Sequence, residues 1–160
     1  MIKKENLDNK KKEGLSKFYN GYNCAQSVLS VFAEELEISK DTCLKLSSPF
    51  GSGIAYMQET CGAVSGALMA IGLKYGRGIN GTKEDKERAY DMSRHFIEEF
   101  KKTTCGTICC RELMDGLDMS TPEGMAKIKD LDLFRLRCSK HVQNSIEIVN
   151  KILSYELKLK

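Results

Sequence analysis

Apolar residues recur at helical spacing along almost the whole chain, and no stretch alternates with the period of two that a half-buried strand requires. This single feature leaves little room for a sheet. Leu7, Leu15, Phe18 and Tyr19 mark a lysine-rich first helix that breaks near Gly21. A second helix is predicted from Asn23 to Glu37, its inward face reading Cys24, Val28, Val31, Phe32 and Leu36. A short helix follows Ser39, and Pro49-Phe50-Gly51-Ser52-Gly53 reads as a tight loop. From Thr60 to Tyr75 the helix is rich in small residues: Gly62, Gly66 and Ala70 share one face, so another helix backbone could approach closely. Thr82-Lys83-Glu84-Asp85 has the form of a capping box, and the helix it opens carries Ala89, Met92, Phe96, Ile97 and Phe100 on one side. Ile108 to Met114 is a short helix, and Thr121-Pro122-Glu123 is a further start signal. The last helix runs from Leu133 to Leu157, led by Leu136, Cys138 and Val142. With no repeat and no linker in sight, the expectation is an all-α fold: residues 1–160 as a single helical domain, a compact bundle of about six helices.

Charge excludes some classes of function. Lys and Arg number 25 against 22 Asp and Glu, a formal charge of +3. The basic runs are short, so no nucleic-acid partner is expected. The longest uncharged apolar run, Cys61 to Leu73, falls short of the ~20 residues of a spanning helix, so no membrane span is expected. Behind the lysines of the N-terminus stands no apolar stretch of the kind a signal peptide has, and a cytoplasmic location follows as the expectation. Thiols stay reduced there, which makes the seven cysteines a chemical question rather than a disulfide framework.

Three of the cysteines stand near predicted helix starts: Cys24 after Asn23, Cys61 after Thr60, and Cys110 after Thr107. The free N–H groups and positive potential of a helix N-terminus favour thiolate, the form that acts as nucleophile or metal ligand. On its own, a cysteine on an apolar helix face is also a small hydrophobe, and Cys24, Cys43 and Cys138 fit that description. There is no Cys-x-x-Cys and no Cys-x-x-Cys-His, so a thioredoxin-type pair and covalent haem attachment are not expected. The dense Cys105-Gly106-Thr107-Ile108-Cys109-Cys110 stretch matches none of the common zinc spacings. Gly51-Ser52-Gly53 lacks the third glycine and the preceding strand of a dinucleotide fingerprint. His141 follows Cys138 by three positions, so the two could face one site, while Arg111-Glu112 reads as a local ion pair.

Several segments together resemble the redox-active protein family labelled C_GCAxxG_C_C. They are Asn23-Cys24-Ala25-Gln26, Phe50-Gly51-Ser52-Gly53, Cys61-Gly62-Ala63-Val64-Ser65-Gly66-Ala67, Cys110-Arg111-Glu112-Leu113, and Cys138 with Val142. Similar helical domains occur in split-Soret cytochromes c, whose haem-attachment motif this chain lacks. The resemblance implies a four-cysteine redox centre falling on Cys24, Cys61, Cys110 and Cys138, with Cys109 adjoining the third position. Cys43 and Cys105 match no family position.

Two chemistries fit such a set. Four thiolates could hold an iron–sulfur cluster, or zinc or Cu(I), with Gly62 and Gly66 letting backbone approach the cofactor; the role would be electron transfer or sensing with a redox partner protein. Alternatively, Cys24 or Cys61 would be a low-pKa nucleophile in thiol–disulfide exchange. A helical binding protein with structural cysteines, a homodimer through the Gly62–Ala70 face, is the third expectation.

Overall fold

The computed structural model describes residues 2–155. Among them are eight α-helices: α1 (Ile2–Tyr19), α2 (Cys24–Leu29), α3 (Lys40–Ser47), α4 (Gly62–Tyr75), α5 (Lys83–Lys102), α6 (Cys110–Leu113), α7 (Pro122–Asp130) and α8 (Ser139–Tyr155). The fold is all-α, as expected, and the surplus over six lies in short elements such as the four-residue α6. Leu157, the expected end of the last helix, lies outside the described residues.

The caps were legible in the residues. Asn23 opens α2, Ser39 opens α3, Thr82 opens α5 and Thr121 opens α7, each accepting from a backbone N–H of the first turn. Two helix expectations need correction. The helix begun at Asn23 does not reach Glu37: after Leu29 it tightens into a 3₁₀ turn over Ser30–Phe32 and ends in turns, with Glu37 at φ 54°. Its apolar face still packs inward, with Val28 and Phe32 fully buried. The last helix starts as a π turn over Phe134–Cys138, closed by Ser139 N–H donating to Phe134 O, before α8 begins. Within this wider turn Leu136 is exposed while Cys138 is buried.

The small-residue face of α4 lies against α2. A Cβ on Gly66 would stand 2.5 Å from Ala25 O, and one on Gly62 2.8 Å from Phe50 O and 3.1 Å from Cys24 Cβ. The face is therefore used inside the chain, and Gly62, Ala63, Gly66, Ala67 and Ala70 are all buried. Helices α1, α4 and α5 pack on α8 around a main core that includes Phe32, Ile71, Phe96, Phe100 and Ile146. A second apolar cluster is built from Cys110, Met114, Met119, Ile128, Leu133 and Cys138, with Phe18 and Cys24 packed against both cores. The seam between the two cores is where the cysteines meet.

Candidate functional site

Each of four cysteines is placed by a different local device. Cys24 is the first residue of α2, whose start is fixed by a reciprocal box: Gln26 N–H donates to Asn23 Oδ1 and Asn23 N–H to Gln26 Oε1, both 3.0 Å. The Asn23 amide also donates to Ser48 O at 2.7 Å, tying this start to the following loop. Cys61 is the N-cap of α4. Its N–H donates to Ile108 O at 2.8 Å, and Cys110 N–H donates to Glu59 O at 2.6 Å. These bonds flank an isolated antiparallel bridge between Thr60 and Cys109, which clamps the starts of α4 and α6 side by side. Cys138 closes the π turn.

The loop between α3 and α4 adapts to this clamp by an unusual path. Ser52, Gly53, Ile54, Ala55 and Tyr56 all have positive φ, between 49° and 67°. Left-handed backbone costs a non-glycine residue about 1–2 kcal/mol, so the turn persists only because its surroundings hold it. At Gly53 two demands coincide: φ is +67°, and a Cβ would meet Cys110 Cβ at 2.7 Å. Gln58, 2% exposed, anchors the far end of the loop. Its Oε1 accepts from Met119 N–H at 2.7 Å and its Nε2 donates to Leu117 O at 2.9 Å.

The result is one cavity of about 160 Å³ lined by Cys24, Cys61, Cys110 and Cys138 together. Gly62, Met114, Met119 and His141 also line it. Gly66 makes its close approach to Ala25 instead and is not part of the lining. Cys110 faces this cavity, whereas its neighbour Cys109 faces a surface cleft with Glu59, Thr60 and Lys101. Cys43 is buried in the core and Cys105 is exposed, both away from the cavity. All seven thiols are free. Arg111 pairs with Asp118 at 3.2 Å rather than with Glu112. No sequence signal marked Met114 or Met119, yet Cys138 Sγ–H points to Met114 Sδ at 3.6 Å.

The electrostatics reverse one expectation. N–H groups of Ala63 and Val64 do favour thiolate at Cys61, but burial and then the neighbouring Cys24 outweigh them and push the thiol up to about 12. Burial, followed by Cys61 and Cys24, takes Cys110 to about 12 as well. Cys24 is raised well above its ordinary value by its hydrogen bond with Cys138 and by burial. Neither Cys24 nor Cys61 is a low-pKa nucleophile in this arrangement. The physical cause is plain in the lining, which contains no lysine or arginine to offset a thiolate. His141 is driven the other way, down to about 4, by burial and then by Arg137 and Lys140, so its imidazole is neutral.

Among the described residues no three His, Cys, Asp or Glu side chains gather closely enough to hold a single metal ion. Cys24, Cys61, Cys110 and Cys138 line one space, with Cys24 and Cys138 in hydrogen-bond contact. No described helix is long and apolar enough to cross a membrane.

Compared with known proteins, residues 22–152 match the family model described as "Putative redox-active protein (C_GCAxxG_C_C)". No curated protein and no solved structure matches the chain significantly.

Proposed function

Taking as premise that the chain belongs to the C_GCAxxG_C_C redox-active family, we propose that Cys24, Cys61, Cys110 and Cys138 form its redox centre and hold an iron–sulfur cluster. The observation that carries this reading is the meeting of four cysteines from four separate segments on one cavity. Native interiors are packed with few voids larger than a water molecule, so a space of about 160 Å³ between two cores invites an occupant. The donor set fits: four soft sulfur ligands suit an iron–sulfur cluster. When bound, the cluster supplies one-electron transfer without a bond being made or broken in a substrate. The chain's own part is to give up the thiol protons on loading, to hold three of the sulfurs on helix starts and the fourth on the π turn, and to exclude water with Leu113, Met114, Met119 and Phe134. An electron would then pass between the centre and a redox partner protein.

Anaerobic purification followed by iron, acid-labile sulfide and zinc analysis tests this. Bound iron and sulfide are expected, and they are lost in Cys24→Ser, Cys61→Ser, Cys110→Ser and Cys138→Ser but retained in Cys43→Ser, Cys105→Ser and Cys109→Ser. A colourless wild-type protein without metal, even after reconstitution, refutes it.

A second reading rests on the contact between Cys24 and Cys138. An external disulfide could accept two electrons and two protons from this pair, leaving a Cys24–Cys138 disulfide and two external thiols. Cys24, raised well above its ordinary value, makes a slow attacking thiol at neutral pH. Mass spectrometry of the metal-free protein after exposure to oxidised glutathione distinguishes it by the loss of two hydrogens and a cross-linked Cys24–Cys138 peptide.

A further inference from the structure

His141 is 7% exposed, and neither Nδ1 nor Nε2 has a hydrogen-bond partner. A buried imidazole with both nitrogens orphaned is costly and calls for an explanation. The ring packs against Phe100, with centroids 5.8 Å apart, and an aromatic carbon face offers it no conventional acceptor. It also lines the cavity that holds all four cysteines, one helical turn beyond Cys138. The Asn23 amide on the same wall is committed to Gln26 and Ser48. Apart from the Ser52 hydroxyl, the side-chain acceptors left in the lining are sulfurs.

We propose that His141 is a direct polar contact of the pocket's occupant, its neutral imidazole donating an N–H hydrogen bond to a sulfur of the bound centre. This rests on the cluster reading above. A neutral imidazole has one donor nitrogen, and thiolate or sulfide sulfur is an acceptor with charge to share. Such a bond strengthens as the centre gains an electron, so it raises the reduction potential. His141 therefore sets the potential of the centre while the four cysteines hold it.

The test uses the full chain in two states. In protein reconstituted with ferrous iron and sulfide, His141→Leu is expected to lower the midpoint potential by at least a tenfold change in the reduction equilibrium, 59 mV for a one-electron couple. His141→Gln, which keeps an N–H donor, is expected to recover part of the shift. In metal-free protein the sign is opposite: His141→Leu removes two orphaned polar atoms, and its melting temperature is expected to rise. An unchanged potential in loaded His141→Leu overturns the proposal and leaves the cluster reading standing. A fall in melting temperature of the metal-free Leu variant, or its failure to fold, also overturns it, because His141 would then have a partner in the fold itself. If the wild type takes up no iron, both the cluster reading and this proposal fall.

Discussion

Replacing Gly66 with alanine tests how the α2–α4 contact holds Cys24 and Cys61 together. The added Cβ would stand 2.5 Å from Ala25 O, 3.0 Å from Ala25 Cα and 3.2 Å from Ala25 C. All three are backbone atoms and cannot swing aside. Comfortable contact begins near ~3.5 Å, so α4 must move roughly 1 Å away from α2. Overpacking of this kind costs about 1–3 kcal/mol, and a backbone obstacle puts it at the upper end. Alanine returns about 1 kcal/mol through helix propensity, leaving a net loss of about 2 kcal/mol. For a chain of this size the melting temperature falls by about 4–8 °C. Gly72 supplies the internal control. It lies in the same helix with nothing within 4 Å of an added Cβ, so Gly72→Ala gains the propensity term alone and melts about 2–4 °C higher. Thermal and urea denaturation of both metal-free variants measure the pair. Opposite signs are expected, and a Gly66→Ala protein as stable as the wild type would refute the close-approach argument. Because Cys24 and Cys61 start the two helices, the same displacement should lower the iron bound per chain.

Removal of the Gln58 side chain in Gln58→Ala leaves Met119 N–H and Leu117 O unpaired in the interior, and about 3 kcal/mol of stability should go with them, read as a lower urea midpoint; an unchanged midpoint would mean water takes over both bonds. Metal-free protein should lose stability on both sides of neutrality. On the alkaline side, folded Cys61 and Cys110 keep their protons up to about 12 while the unfolded thiols release theirs near ~8.5, so stability falls as pH rises through that window. On the acid side, unfolded His141 takes a proton below 6.5 while the folded ring resists it to about 4, and stability falls as pH drops between them. Urea midpoints measured from pH 4 to 10 check both limbs, and a flat alkaline limb would contradict the buried-thiol assignment.

The parts of this fold that sequence could disclose are those controlled by neighbours in the chain. Thr82 and Asp85 cap α5 through bonds that span three residues, and the small face of α4 follows from spacing alone. What escaped is controlled from a distance. The π turn before α8 leaves no signature in Phe134-Arg135-Leu136-Arg137-Cys138, where Leu136 is exposed and Cys138 buried. The bridge from Thr60 to Cys109 joins segments separated by the whole of α4 and α5, and neither segment alternates in the manner of a strand. The order of the four cysteines was readable; that they share one cavity depends on the clamp and the π turn, which were not. Thiolate formation failed as an expectation for the same reason. The helix-start donors at Cys61 are local, whereas the burial that overrides them comes from packing two cores together.

That conflict between local donors and global burial bears on how the pocket selects what it holds. Each pH unit by which a thiol lies above neutral costs about 1.4 kcal/mol to ionise it at pH 7, and Cys61 and Cys110 both stand at about 12. A lysine or arginine in the wall would remove this cost permanently and leave reactive thiolates exposed to any electrophile. Among the described residues the wall has none, so an occupant bringing its own positive charge would make ionisation favourable. On the cluster reading proposed above, loading would release protons and tighten with pH. Raised as they are, Cys24, Cys61 and Cys110 stay protonated and poorly nucleophilic at neutral pH, which protects them from oxidation through the pathway that begins at thiolate. The apolar lining keeps these thiols protonated, and on the cluster reading proposed above the same property would couple their ionisation to the arrival of a cationic centre.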